Sequence, residues 1–298
     1  MKIKGINAAP ALVAVIYLLL LLSGFWSPAS GDENPYLSVI VIELLIFVLP
    51  ALFFFRLRGK KYAARARVKL FEPGAVPFII TASVTLMLLS CAIKLAIYSI
   101  FDYSLDVTNI YTSYIPDAPA GTDLIFSALA FAVFPAVTEE LVFRGIVLTE
   151  YEDCGVASAV LISSLLFAML HFDIKLFPVY FISGILLALS AYVCRSLLAP
   201  MIIHTLNNVF SLFFEDYIWN SILQPRNIVI FSFVAVSLLL LSLMLLFGEA
   251  NRLYRSYGNF GADSSYIRKK SERTPVTSAL ISVPFAVCVL IFVLVVLI

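Results

Sequence analysis

The chain's only two histidines, His171 and His204, lie inside long apolar runs, and so do Glu139 and Glu140. A titratable group at bilayer depth is unfavourable by about 2.5–3.5 kcal/mol on insertion scales unless it faces a protein or water-filled interior. Such groups therefore mark sites of function. Glu139, Glu140, Arg144, His171, His204 and Asn208 are the residues to explain. On a helix Glu140 and Arg144 are four apart, so they share a face and can form a charge-assisted pair. Glu139 is turned away from Glu140 by about 100°. One glutamate is thereby neutralised and the other is free to point into a cavity, where a carboxylate with no cation beside it suits general-base work near neutral pH. His204 and Asn208 also share a helix face, and both can donate hydrogen bonds to an oxyanion of the kind that develops in acyl transfer; Asn207 points elsewhere. Phe167 sits one turn before His171 on the same face, and His171 beside Glu139 offers two groups able to polarise one water.

The elements that hold these residues must be membrane helices. Of 298 residues 62% are hydrophobic and only 13% charged, about half the charged fraction of a soluble domain; the mean hydropathy is +1.01. The apolar runs are too long for barrel strands, and a helix satisfies its own backbone in lipid. The fold class is thus all-α, a polytopic bundle of about 8–9 transmembrane helices. Candidate spans fall at 8–26, 36–55, 77–100, 122–148, 155–171, 176–194, 197–214, 226–247 and 276–298. The first follows Lys2 and Lys4 as a secretory signal would, but no clear cleavage site succeeds it, so it is read as a retained helix. The chain is divided into N-terminal helices over 1–121, a core over 122–215 and C-terminal helices over 216–298, bounds that rest on the family resemblance set out below.

Basic residues cluster between the second and third spans (Arg56, Arg58, Lys60, Lys61, Arg65, Arg67, Lys69) and between the eighth and ninth (Arg252, Arg255, Arg268, Lys269, Lys270, Arg273). The loops at 27–35 and 101–121 are acidic, with Asp32, Glu33, Asp102, Asp106 and Asp117. Both basic loops and the N-terminus fall on one side, which by the positive-inside rule is the cytoplasm. The 56–70 loop reads as a positive-inside stop, with anionic lipid headgroups as an alternative ligand. Glu43 and Lys94 come at matching heights on consecutive antiparallel spans and are expected to pair. Net charge is +1, which gives no reason to expect a nucleic-acid partner. The four cysteines form no CxxC pair and suggest neither a disulfide framework nor a thiolate zinc site.

The order Glu-Glu-x-x-x-Arg, Phe-x-x-x-His, His-x-x-x-Asn over a helical membrane protein resembles the CPBP family, which comprises CAAX prenyl endopeptidases and bacteriocin-processing or self-immunity (ABI) proteins. Its motifs match Glu139-Glu140 with Arg144, Phe167 with His171, and His204 with Asn208, over about residues 122–215. The resemblance implies an intramembrane glutamic endopeptidase acting on a peptide or lipidated-protein substrate in the bilayer, with no cofactor. Carried over, Glu139 and His171 activate water and His204 with Asn208 forms the oxyanion hole. Glu140, Arg144 and Phe167 support them. A multi-pass protein of a bacterial plasma membrane with a cytoplasmic N-terminus is expected. HExxH, GxSG and GxGD motifs are missing. The alternatives are a zinc protease using Glu139, His171 and His204 as ligands, and a non-catalytic scaffold or transporter. Residue counting leaves His171 too near the outer surface to meet Glu139 unless the fourth helix continues through about Glu150. The cavity is expected between the fourth, fifth and seventh spans, opening to the cytoplasm.

Overall fold

A computed structural model describes residues 5–24, 35–59, 61–101, 121–222, 228–258 and 274–297. The acidic stretches at 27–35 and 101–121, Lys2, Lys4, Lys60 and the 268–273 basic cluster fall wholly or largely outside them. Among the described residues there is no strand. The apolar helices are α1 Gly5–Ser23, α2 Tyr36–Arg58, α4 Gly121–Cys154, α3 Val76–Phe101, α5 Val156–Leu170, α6 Phe177–Val193, α7 Leu198–Phe213, α8 Ile228–Gly258 and α9 Val283–Leu297. Each answers to one expected span, and the protein is an all-α membrane bundle. Five of the helices are long enough to cross a bilayer unaided. The cavity-building helices α5, α6 and α7 have only 15, 17 and 16 residues. At about 1.5 Å per residue they are shorter than a 30 Å hydrocarbon core.

The fourth helix does run on. It continues through Tyr151, tightens over Glu152–Cys154 and reverses at Gly155, whose φ of 101° suits glycine. That overrun lowers the start of α5 and brings His171 to the level of Glu139, as the counting required.

Three apolar clusters make the core, the smallest of them Tyr36, Ala130, Phe131 and Leu212, which joins α2, α4 and α7. The largest joins α1, α2, α4, α5, α6 and α9; the next joins α3, α6, α7 and α8. The largest is tied by the Tyr17 hydroxyl, which donates to the Leu166 carbonyl, and by Cys288 Sγ, 3.3 Å from the Pro10 carbonyl. All four cysteines are buried free thiols. Helices α5 and α6 meet at Gly184, where an added Cβ would sit 2.9 Å from Ser164 Cβ. Only glycine permits that approach, in keeping with the small-residue interfaces of membrane helices.

The basic connection after α2 is a clasp. Arg58 pairs with Glu150 at 2.8 Å and Arg65 with Asp153 at 3.1 Å. Arg67 pairs with Glu152 and lies 4.4 Å over the Tyr192 ring. Three arginines thus serve the C-terminal end of α4, whose unpaired carbonyls favour cations; Arg56, Lys61 and Lys69 stay exposed.

The expected Glu43–Lys94 pair is not formed. Lys94 Nζ lies 2.5 Å from Glu215 Oε1, and Glu43 Oε2 accepts from the Thr138 hydroxyl at 2.9 Å. The reason is helix order in space: α3 packs on α6, α7 and α8, whereas α2 packs on α4. Consecutive spans at equal height are therefore not neighbours.

Candidate active site

Glu139 and Glu140 lie in a regular stretch, Phe134–Val142, between two widened i→i+5 turns at Leu129–Val133 and Phe143–Val147. Pro135 accounts for the first. It lacks an N–H, and its ring would clash with the carbonyl four residues earlier, so the preceding turn opens. Widened turns release carbonyls for other donors. Asn208 Nδ2 lies 3.5 Å from the Ala132 oxygen, and Ser163 Oγ donates to the Phe143 oxygen at 2.8 Å. Through these contacts α7 and α5 dock at fixed heights on either side of the glutamates.

The two glutamates have different surroundings. Glu140 is fully buried, and its Oε1 accepts both from Arg144 Nη1 at 2.5 Å and from His204 Nδ1 at 3.0 Å. Arg144, 1% exposed, also donates to the Gly184 carbonyl at 3.0 Å and lies 4.4 Å over the Phe167 ring. Glu139 keeps an Oε2 with no hydrogen-bond partner, 4.0 Å from His204 Nε2.

Hydrogen bonding also sets the proton positions on both rings. A carbonyl only accepts, so His171 Nδ1, 3.1 Å from the Phe167 oxygen, carries a proton, and in the neutral ring Nε2 holds a lone pair. Tyr180 stacks on this ring at 3.7 Å and 15°. His204 gives its Nδ1 proton to Glu140. The Phe167 ring stands edge-on to both imidazoles, 5.1 Å from His171 and 5.7 Å from His204.

Glu139, His171, His204 and Asn208 line one cavity of about 670 Å³, together with Phe167 and Asn207. The structure brings every sequence-derived site residue to this place, Glu140 and Arg144 directly behind the wall. Sequence spacing finds the Glu140–Arg144 pair. It misses the bond from Glu140 to His204, the Tyr180 stack and the Gly184 carbonyl, because each joins different helices. Among the described residues no group of three His, Cys, Asp or Glu side chains is arranged to hold a metal ion.

The cavity's direction differs from expectation. It is lined by the later part of α3 (Leu86, Ser90, Lys94), the last turn of α5 and Asp173 beyond it. From α7 onward it continues past the helix end to Glu215, Asp216 and Trp219. The clasp, by contrast, meets the start of α7, where the Leu197 N–H donates to the Arg67 carbonyl at 2.9 Å. The cavity therefore extends toward the end of the bundle opposite the basic loop.

Residues 121–210 match the family described as type II CAAX prenyl endopeptidase Rce1-like. The match supports a CPBP-family core over these residues. The membrane-embedded CAAX protease MroQ of Staphylococcus aureus (strain USA300) is 26% identical over 195 residues, which cover 60% of this chain and 74% of that protein. No solved structure matches the chain. Both likenesses support a membrane peptidase, and the apolar helices make the chain a multi-pass membrane protein.

Proposed function

We propose that the chain is an intramembrane endopeptidase of the glutamic type, cleaving a peptide or lipidated-protein substrate within the bilayer. The carrying observation is Glu139 Oε2, which accepts no hydrogen bond, set in the same cavity as two imidazoles whose Nδ1 nitrogens are already committed. A water there gives one hydrogen to Glu139 and the other to the His171 Nε2 lone pair, leaving an oxygen lone pair to attack the scissile carbonyl. Glu139 takes the proton and passes it to the departing amine. Asn208 donates one amide N–H to the oxyanion. His204 donates from Nε2, which requires its doubly protonated form because Nδ1–H already serves Glu140. Glu140, Arg144 and Phe167 hold this geometry from behind.

The basic clusters support a cytoplasmic N-terminus, and the likeness to a membrane-embedded staphylococcal protein supports a bacterial plasma membrane. The cavity then opens on the outer face. Hydrolysis of membrane peptides by purified protein, with Glu139→Gln as the paired control, tests the reading. Loss of product in that variant with unchanged melting supports it. Equal turnover by both proteins refutes it.

A further inference from the structure

The far end of the cavity carries polar groups that the proposed hydrolysis does not use. Ser90 and Lys94 are four apart on α3 and line it together. Ser90 is only 8% exposed, and its hydroxyl has no hydrogen-bond partner. A buried hydroxyl left unpaired is unfavourable by about 1–3 kcal/mol, which a bound group would relieve. Asn207 Oδ1, on the opposite wall, is a second unpartnered acceptor.

The charges at this end do not cancel. Glu215 is saturated: Lys94 and Trp219 Nε1 reach its Oε1 at 2.5 and 3.0 Å, and Ser211 reaches its Oε2 at 2.5 Å. Lys94 is spent in that pair. Asp216, half-buried beside it, accepts no hydrogen bond among the described residues. Burial, then the charge of Glu215, pushes its carboxyl above the usual range. Asp173 caps its own loop through one oxygen, bonding the Lys175 and Leu176 N–H groups at 2.8 and 3.0 Å. The described wall thus holds Glu139, Asp173, Glu215 and Asp216 against the Lys94 ammonium and, in the proposed hydrolysis, the His204 imidazolium, and a narrow cleft with apolar walls focuses such a field.

Resting on the proposed peptidase reading, we propose that this end is a substrate subsite for a cationic side chain. The lysine or arginine of an otherwise apolar peptide would be held by Asp216, with Ser90 Oγ and Asn207 Oδ1 accepting hydrogen bonds from the peptide. The substrate class is then a basic, membrane-associated peptide that lies with its charged residue toward the cavity mouth and its scissile bond at Glu139. Asp216 acts in specificity and takes no part in the chemistry.

The test uses full-length protein in lipid nanodiscs and labelled apolar decapeptides carrying one Lys, norleucine or Glu at each position in turn. Affinity is measured on the Glu139→Gln protein, and cleavage is measured separately on the wild type. Lys peptides should bind on the order of tenfold more tightly than their Glu counterparts at one or two positions. Asp216→Asn should lower that ratio several-fold, and Asp216→Lys should invert it. The ratio is read within each protein, so a general loss of stability does not imitate the effect. Equal affinity for all three peptide types, or a ratio that neither substitution moves, overturns the subsite. The expected ratio with no wild-type cleavage supports the subsite and overturns the peptidase reading.

Discussion

The two ends of the bundle handle buried charge in opposite ways. At the clasp every acid that closes α4 meets a cation: Glu150 meets Arg58, Asp153 meets Arg65, and Glu152 meets Arg67. At the cavity Glu139 and Glu140 share one guanidinium, that of Arg144, which pairs with Glu140, while Glu43 stands nearby on a threonine hydroxyl. Paired charges hold helices in register. A buried carboxylate that no guanidinium or ammonium pairs is a candidate for another task.

That contrast makes substitutions at the two ends fail differently. The largest effect is expected at Glu139. Glu139→Gln keeps the shape and removes the base, so peptide turnover should fall by about 10²–10⁴-fold while thermal unfolding in detergent stays near wild type. Asn208→Ala should lose about 10²–10³-fold in turnover by removal of one oxyanion donor, again with the fold intact. Arg144→Ala belongs with the clasp in kind although it lies at the site. It strips Glu140 of its cation, and the loss, about 3–5 kcal/mol for a broken buried pair, should appear as poor expression and a lowered Tm before any kinetic effect can be read. Glu152→Gln should lower the Tm by less, since Arg65 and Arg67 are partly exposed and water can take them over. Its turnover per folded molecule should stay near wild type. A Glu152→Gln protein that melts normally but turns over slowly would erase the distinction between the ends.

The smallest expected effect is in pH. Glu215 and Asp216 are neighbours with opposite shifts. Burial raises Glu215, but the charge of Lys94 and the hydrogen bonds from Lys94, Ser211 and Trp219 outweigh it and bring it below the usual value; Asp216 is raised. As pH falls, Asp216 is protonated first, so the preference for Lys over Glu peptides should fade while the Lys94–Glu215 pair is still closed. The stability that Glu215 contributes is present above its unfolded pKa and is lost only as pH drops through its lower folded value. Peptide affinity and thermal unfolding, followed together from neutral to acidic pH, should separate into two steps in that order.

Much of this arrangement was readable from spacing along single helices. The nine apolar runs, the Glu140–Arg144 pair four apart and the His204–Asn208 face depend only on helical periodicity, and they appear where the sequence places them. The overrun of α4 was legible too, since His171 could reach Glu139 in no other way. What the sequence hid depends on which helices touch. Glu43 and Lys94 stood at matching heights, yet α2 and α3 lie on different neighbours, so each found another partner. Glu140 reaches His204 across two helices that are 64 residues apart in the chain. The direction of the cavity was hidden for the same reason. Its far end is lined by the later part of α3 and by residues after α5 and α7, and no periodicity within one helix announces that these converge.

The peptide content of cells carrying the wild-type protein, compared with that of cells carrying Glu139→Gln and read with and without a strong chelator, tests the central claim most directly. A cleaved peptide present only with the wild type and unaffected by the chelator is the result the Glu139-activated water predicts. Identical peptide profiles from the two proteins, or a wild-type product that vanishes with the chelator, would contradict it.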